Sequence, residues 1–155
     1  LVTQVAGRAG RGLKPGRVLV QTYQPDHRSL LAAVEHDFHR FYAEEVAFRQ
    51  QLDYPPFAHM IHLVTAGEDE AAVAATVKAI QELLVAHRFS GTILGPAPAP
   101  LAKLRGRHRH HLVLKGDSIS KMAREVRAAF AAGAGTWRKS KDVSLSVDVD
   151  PLSIL

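Results

Sequence analysis

Two arginines near the start of the chain are spaced for a phosphate ligand. The segment from Gln4 to Gly12 reads QVAGRAGRG and places Arg8 and Arg11 three positions apart, so both guanidiniums lie on one side of a helical turn. Each guanidinium can bind phosphate oxygens through two parallel hydrogen bonds, and Gly7 allows a ligand to approach the backbone closely. The spacing alone leaves two interpretations open: a polyphosphate site, or a flexible basic terminus that binds nothing.

A second basic set occupies every other position in the middle of the chain. It consists of Lys103, Arg105, Arg107 and Arg109. In an extended chain these side chains would project from one side, about 6–7 Å apart, which is close to the distance between phosphates along a nucleic-acid strand. The pattern predicts a track for a DNA backbone, and the alternative is a solvated hairpin edge whose cations discourage strand pairing. Nothing in the sequence resembles a recognition helix, so no base-specific contact is predicted.

Three further groups of residues have types that could do chemistry. Trp137 lies in a basic loop, where it could stack on a base or cover the end of a helix. His108 and His110 share one side of a predicted strand, but a metal site needs three or four converging ligands, and none is predicted. Asp148 and Asp150 would stand roughly 7 Å apart on one strand face. Without a neighbouring acid or nucleophile, they are interpreted as residues that end the strand.

Composition restricts the class of protein. The chain has 155 residues, of which 46% are hydrophobic, enough for one domain with a core or a small domain joined to part of another. The net charge of +5 favours an anionic partner. Cysteine is absent, which excludes disulfides and thiol nucleophiles and is typical of a reducing compartment. No signal peptide or membrane span is predicted, and the chain, which begins at Leu1, is expected to be the tail of a longer polypeptide.

The first third of the chain is predicted to contain one strand and a helical stretch. Residues 17–23, RVLVQTY, are β-branched and aromatic, which indicates a strand. From 29 to 52 hydrophobic residues recur at helical spacing, and Asp37 could cap a second helical piece. The pair Pro55 and Pro56 predicts the end of this helical stretch, because the residue before a proline is pushed out of the helical region.

After the two prolines, predicted strands and helices alternate. The predicted strands are 57–65, 91–94, 107–115 and 143–149, and the predicted helices are 68–87 and 118–131. The segment GPAPAP, 95–100, is predicted to be a connection between strands. In the last strand, Val143, Leu145, Val147 and Val149 alternate with polar residues, which predicts one buried and one wet face. The order β-α-β-β-α-β predicts an α+β fold of the ferredoxin-like split βαβ kind, with two helices on one face of a four-stranded antiparallel sheet.

Several stretches resemble known families. The residues from Gln4 to Arg11 resemble the sixth signature motif of superfamily-two helicases, Q-x-x-G-R-x-G-R. The stretches HDFHRFYAEEVAFRQQLDYPPF (36–57), ILGPAPAPLAKLRGRHRHHLVLKG (93–116) and VDVDP (147–151) resemble, in order, parts of the primosomal protein N′ family of bacterial replication-restart helicases. These matches cover the chain nearly end to end.

The resemblance implies a division of the chain and a role for its first residues. Residues 1–27 would finish the second RecA-like helicase lobe, 28–56 would form a helical connector, and 57–155 would form the C-terminal α+β domain. In superfamily-two helicases the glutamine and arginines of this motif face ATP. Carried over, the ATP-binding residues would be Gln4, Gly7, Arg8 and Arg11, and the catalytic ones would be Arg8 and Arg11.

The cofactors implied by the resemblance belong to a longer protein. The chain contains neither a P-loop nor an acidic metal-binding motif, so it is not expected to hydrolyse ATP by itself. ATP and Mg are expected in the parent protein. Zinc ligands are expected only upstream of this segment.

The resemblance also implies partners and a location. The expected partners are forked and single-stranded DNA, the single-stranded-DNA-binding protein and primosome proteins. The protein is expected to be a monomer in the cytoplasm, associated with the nucleoid and not with a membrane. The DNA-binding residues would be Lys103, Arg105, Arg107, Arg109 and Trp137, and the partner-binding ones Lys121 and Arg124. The chain departs from the family pattern at 119–123, where basic and amide side chains are expected. Whether this surface binds the acidic tail of the single-stranded-DNA-binding protein therefore stays open. The alternative function is a scaffold for protein partners with no catalytic role.

Overall fold

The computed structural model describes residues 2–7, 9, 16–133, 135–137 and 140–151. The chain forms two compact units, residues 1–52 and residues 53–155. Within the described ranges, no helix has both the length and the apolar composition that crossing a membrane requires.

The first unit is helical. It contains α1 (Val2–Ala6), α2 (Arg28–Val34) and α3 (Phe38–Gln51). The predicted strand over 17–23 is wrong: these residues form no strand, and the side chains of Leu19 and Tyr23 are 94% and 106% exposed. β-branched and aromatic residues favour a strand when a neighbouring strand packs beside them, and the described part of this unit contains no such strand.

The helical stretch is divided at Asp37, as predicted. The Asp37 carboxylate accepts a hydrogen bond from the backbone N–H of Arg40 at 2.9 Å, which satisfies one of the free donors at the start of α3. Arg28 joins the two helices, because its guanidinium lies 3.3 Å from the Glu45 carboxylate and 3.9 Å from the centre of the Phe48 ring.

The second unit is an α+β domain. Its elements in chain order are β1 (His59–Gly67), α4 (Glu70–Ala86), β2 (Thr92–Leu104), β3 (Arg107–Gly116), α5 (Ile119–Ala132) and β4 (Ser144–Val149). The sheet order is β2-β3-β1-β4, and all neighbouring strands are antiparallel. Strand β3 therefore lies between β1 and β2, which α4 connects. This arrangement confirms the predicted ferredoxin-like split βαβ fold.

The core lies between the two helices and one face of the sheet. Four hydrophobic residues that recur with helical spacing along α4 are fully buried, with exposures of 0–1% for Val73, Val77, Ile80 and Leu84. They pack with α5 against the sheet residues Ile61, Leu63, Leu112 and Leu114. Burial of each such aliphatic side chain stabilises the fold by about 1.5–3 kcal/mol. We call the opposite face of the sheet, turned away from α4 and α5, the distal face.

The predicted connection over 95–100 is wrong, because β2 continues through it to Leu104. Prolines have no backbone N–H to donate, yet β2 lies at the edge of the sheet, where prolines are tolerated. The pairing with β3 shifts register between Leu94 and Ala97 and again between Pro98 and Lys103. The proline-rich segment is thus an irregular edge strand.

The prediction for β4 is correct in part. Val143 is buried at 4% exposure, but Val147 and Val149 are both 49% exposed. Strand β4 lies at the other edge of the sheet, whereas the buried core cluster occupies the central strands β1 and β3. Alternation therefore predicted the strand correctly and overestimated how deeply its hydrophobic face is buried.

Candidate nucleic-acid interface

The predicted DNA-binding residues lie in the hairpin that joins β2 to β3. We call residues 101–109 the basic hairpin. Leu104 pairs with Arg107 across a two-residue loop, and both loop residues have positive φ, 50° at Arg105 and 82° at Gly106. Two positive φ angles are characteristic of the type I′ turn, whose twist matches that of the two strands.

We expect the substitution Arg105→Asn to stabilise the protein slightly. Left-handed backbone costs an ordinary residue about 1–2 kcal/mol, and asparagine tolerates it better, so the unfolding free energy should rise by about 0.5 kcal/mol. Urea denaturation would measure the change. The matched control is Lys103→Asn on the adjoining strand, where asparagine should bring no gain. An equal gain from both substitutions would contradict the turn assignment.

The four basic side chains do not form one row, so the prediction of a single track is wrong. Lys103 pairs with His108, and Leu104 pairs with Arg107. Because directly paired residues share a face, Lys103 lies on the opposite side of the hairpin from Arg107 and Arg109. The spacing argument treated 103–109 as one extended segment, but the chain reverses direction within it.

Arg107 is engaged with the protein backbone. Its Nη2 donates to the carbonyl oxygen of Ala66 at 2.7 Å, to the carbonyl oxygen of Asp142 at 3.2 Å and to the hydroxyl of Ser144 at 3.1 Å. Its Nε is buried without a partner. These contacts join the base of the hairpin to β1 and to the start of β4, so we assign Arg107 a structural role.

Three cations remain at the surface of the hairpin. Lys103 and Arg105 are exposed, and Arg109 is partly exposed. The Nη1 atom of Arg109 lies 3.4 Å from the carbonyl oxygen of Leu101, near the outer limit for a hydrogen bond. The segment 101–109 contains no aspartate or glutamate, so the hairpin has no acidic residue of its own to neutralise these charges.

The structure also reveals a histidine pair beside this hairpin that the sequence analysis missed. His62 Nε2 and His111 Nδ1 lie 2.9 Å apart, and the ring centres are 5.1 Å apart. Both rings lie on the distal face, because the alternate residues Leu63 and Leu112 belong to the core. Burial lowers the pKa of both imidazoles below the usual value. The RHRHH string contained one member of the pair, but the other is 49 residues away.

The other candidate residues have ordinary structural surroundings. Trp137 packs against the core, with its ring 5.3 Å from that of Phe130 near the end of α5, which favours the interpretation that it covers the helix end. His108 Nδ1 lies 3.3 Å from a carboxylate oxygen of Glu70. Asp150 follows β4, and its Oδ1 accepts a hydrogen bond from the backbone N–H of Met60 at 2.9 Å. No three possible metal ligands cluster among the residues that the structure describes.

Comparison with known proteins assigns the chain to a family. A family model described as the primosomal protein N C-terminal domain matches residues 50–152. The chain belongs to this family. It is 33% identical over its whole length to replication restart protein PriA of Bacillus subtilis, 39% identical over 99% of its length to that of Synechocystis, and 35% identical over its whole length to that of Treponema pallidum.

The alignments with these relatives cover nearly all of this chain but only a small part of each relative. The chain spans about a fifth of the curated relatives, 19%, 18% and 23% of the three proteins named. Among solved structures, the designed protein Foldit4 overlaps 59% of the chain at 15% identity with a TM-score of 0.43. The family match lies mainly on the second unit, which contains the basic hairpin and the histidine pair.

In this primosomal family domain, the predicted partner-binding residues lie on α5. Lys121 lines an open depression of about 420 Å³ beside the start of α5, and the other charged residues of its lining are Lys115, Asp53 and Asp117. Arg124 is exposed and is not part of this lining. The structure therefore places only Lys121 at the depression.

The predicted ATP-binding residues lie at the start of the chain. Gln4 is exposed on α1, and Gly7 follows that helix. Arg8 and Arg11 lie outside the described residues. The catalytic and nucleotide-binding roles therefore stay predictions from the motif.

Proposed function

We propose that this chain is the DNA-binding and interaction region of a replication-restart helicase, and that the basic hairpin contacts the DNA backbone. The observation that carries the proposal is the presence of three surface cations, unopposed by any acidic residue of the hairpin, in a domain of the primosomal family. Phosphate contacts by lysine and arginine position a protein on DNA without reading its sequence. This agrees with the amino-acid sequence, in which no stretch resembles a recognition helix.

The geometry of the hairpin favours forked DNA over a single strand. Lys103 lies on one side of the hairpin, Arg109 lies on the other, and Arg105 lies in the loop between them. Cations on opposite sides of one loop can meet phosphates of two different strands. Two strands approach each other in this way where a duplex separates into a fork.

The proposal predicts a salt-dependent loss of affinity when the three cations are removed together. The triple substitution of Lys103, Arg105 and Arg109 by Ala should weaken binding to forked DNA about tenfold at moderate salt. The slope of log K against log salt should become shallower by about 2–3, because each lost phosphate contact releases about 0.7–0.9 fewer counterions. Fluorescence anisotropy with labelled forked DNA at several salt concentrations measures both quantities.

A matched control distinguishes the effect of the hairpin cations on DNA affinity from the effect of the net charge of the chain. Lys78, Arg127 and Lys141 are exposed outside the hairpin, and their combined substitution by Ala removes the same total charge. This control should keep most of the affinity and of the salt slope. Equal losses in both triple variants would show that binding depends only on overall charge, and unchanged binding in the hairpin variant would remove the proposed contact.

We also propose that the first residues belong to the ATP site of a longer helicase. The similarity of the segment 4–11 to the sixth helicase motif supports this proposal. Gln4, Gly7, Arg8 and Arg11 would bind ATP, with Arg8 and Arg11 stabilising charge on the transferring phosphate, and the Mg that accompanies ATP would be held by acidic residues elsewhere in the longer protein. Any zinc ligands would lie upstream, and this segment alone would not be catalytic.

The second candidate is a scaffold for protein partners. The depression that contains Lys121 supports it, because Lys115 and Lys121 in its lining can pair with an acidic peptide such as the tail of the single-stranded-DNA-binding protein. The carboxylates of Asp53 and Asp117 also line it, so the peptide would have to bind on the side of the two lysines. Arg124, which also lies on α5, would extend this surface, and primosome proteins would be further partners. The protein would be a monomer in the bacterial cytoplasm, associated with the nucleoid. If the chain bound such a partner but no DNA at any salt concentration, the scaffold would replace the DNA-binding proposal.

A further inference from the structure

Arg109 and the histidine pair form a continuous polar patch on the distal face. Arg109 and His111 occupy alternate positions of β3, so they project from the same face about 6–7 Å apart. Both residues are partly exposed, whereas His62 is only 5% exposed. A ligand on this face can therefore contact His111 directly, and His62 can act only through His111.

The bond between the two rings limits the pair to one extra proton. In the neutral pair, one ring nitrogen donates across the 2.9 Å contact and the other accepts. One added proton gives a charge-assisted hydrogen bond, which is stronger than the neutral one. A second proton would place donors on both facing nitrogens and break the bond. The bond uses Nδ1 of His111, which leaves Nε2 of that ring to donate to a ligand.

Most of the surroundings keep the free pair neutral. Burial is the largest cause that lowers the pKa of both rings. On β3, Arg109 lowers the pKa of both, and His110 adds to the effect on His111. On β4, Asp148 is paired with His62 and raises its pKa. On β2, the residue opposite His111 is uncharged Ala97.

We propose that His111, held by His62, is a proton-linked phosphate contact: a nucleic-acid phosphate bound by Arg109 draws one proton onto the histidine pair. The proposal rests on the proposed DNA-binding function and deepens it. Arg109 supplies a permanent charge that attracts the phosphate, and the pair adds a second charge only when the phosphate is present. His62 is a positioning residue in this scheme.

The direction of the pH dependence follows from linkage. In the free protein the pKa of the pair lies below the ordinary histidine value, and a nearby phosphate raises it in the complex. Between these two pKa values, binding takes up a proton, so affinity rises as pH falls, by at most tenfold per pH unit. Above the pKa of the complex and below that of the free protein, the affinity is independent of pH.

The test measures affinity for a labelled forked oligonucleotide between about pH 5.5 and pH 8.5, at constant ionic strength, with the full 155-residue chain. We expect the dissociation constant of the unsubstituted chain to fall about three- to tenfold for each unit by which the pH is lowered inside the linkage window. In His111→Gln the dependence should disappear, with the affinity remaining at its high-pH value. The matched control is His110→Gln, the adjacent residue on the opposite face of β3, which should keep the slope while moving the linkage window to higher pH, because His110 lowers the pKa of His111.

A second measurement does not depend on any variant. Histidine-selective NMR of the unsubstituted chain should show the titration midpoint of His111 rising when the oligonucleotide is added. An unchanged midpoint, or a wild-type slope in His111→Gln, would overturn the inference. Binding that is independent of pH would overturn this inference and leave the DNA-binding function intact, whereas the absence of binding at every pH would overturn both.

Discussion

Replacing Arg107 with alanine should lower the unfolding free energy by about 2–4 kcal/mol. The guanidinium donates to two backbone carbonyls and one hydroxyl at 2.7–3.2 Å. Hydrogen bonds from a charged donor contribute about 1.5–3 kcal/mol each when well shielded and less when exposed, and two of these three lie at the exposed end. The substitution removes the side-chain hydrogen bonds of Arg107 to Ala66 on β1 and to Ser144 on β4, whereas the backbone pairing of β1 with β3 is kept.

Chemical denaturation monitored by circular dichroism would measure this effect. The matched control is Arg105→Ala, which removes the same side chain from the exposed loop and should change stability by less than about 0.5 kcal/mol. Arg107→Lys should fall between the two, because the lysine side chain is one bond shorter than arginine and its ammonium group lies farther from the three acceptors that Nη2 contacts. If both alanine variants were equally stable, the contacts of Arg107 would contribute nothing.

The comparison of Arg105 with Arg107 shows where sequence analysis reached its limit. The two arginines are the same residue type at alternate positions, and the sequence treated them as equivalent. Their difference arises from the turn between them, which reverses the chain and aims only one toward Ala66. A spacing argument holds only while the backbone continues in one direction.

The parts of the fold that were predicted correctly depend on local patterns. The stripe Val73, Val77, Ile80 and Leu84 repeats with the period of a helix, and the helix buries all four. The cap at Asp37 likewise depends on the next three residues. Each of these features is determined within a few residues, and the order of such features was sufficient to predict the sheet topology.

The features that were missed depend on partners distant in sequence. The segment 95–100 became a strand because β3 lies beside it, and 17–23 did not because no strand in the described part of its unit lies beside it. His62 and His111 meet only because β1 and β3 pair. The candidate site is therefore less predictable than the fold, since it depends on the register between strands.

The same dependence on a neighbouring strand makes the substitution Gly91→Ala strongly destabilising, by about 3 kcal/mol. Gly91 precedes β2, and an added Cβ would lie 2.1 Å from the backbone carbonyl oxygen of Lys115 on β3 and 2.8 Å from the Phe89 ring. A backbone oxygen cannot turn aside as a flexible side chain can, so the start of β2 must move away from β3. Overpacking of this kind costs about 1–3 kcal/mol, occasionally more.

Gly106→Ala is the matched control, because its cost has a different origin. No atom lies within 4 Å of an added Cβ at Gly106, and only its φ of +82° disfavours alanine, at about 1–2 kcal/mol. Gly91 lacks a positive φ, so its expected loss comes entirely from the close approach of two strands. Urea denaturation of both variants should therefore rank Gly91→Ala as the less stable protein. The reverse order would mean that β2 and β3 are farther apart at Lys115 than the structure shows, and the strand pairing that supports the basic hairpin would need revision.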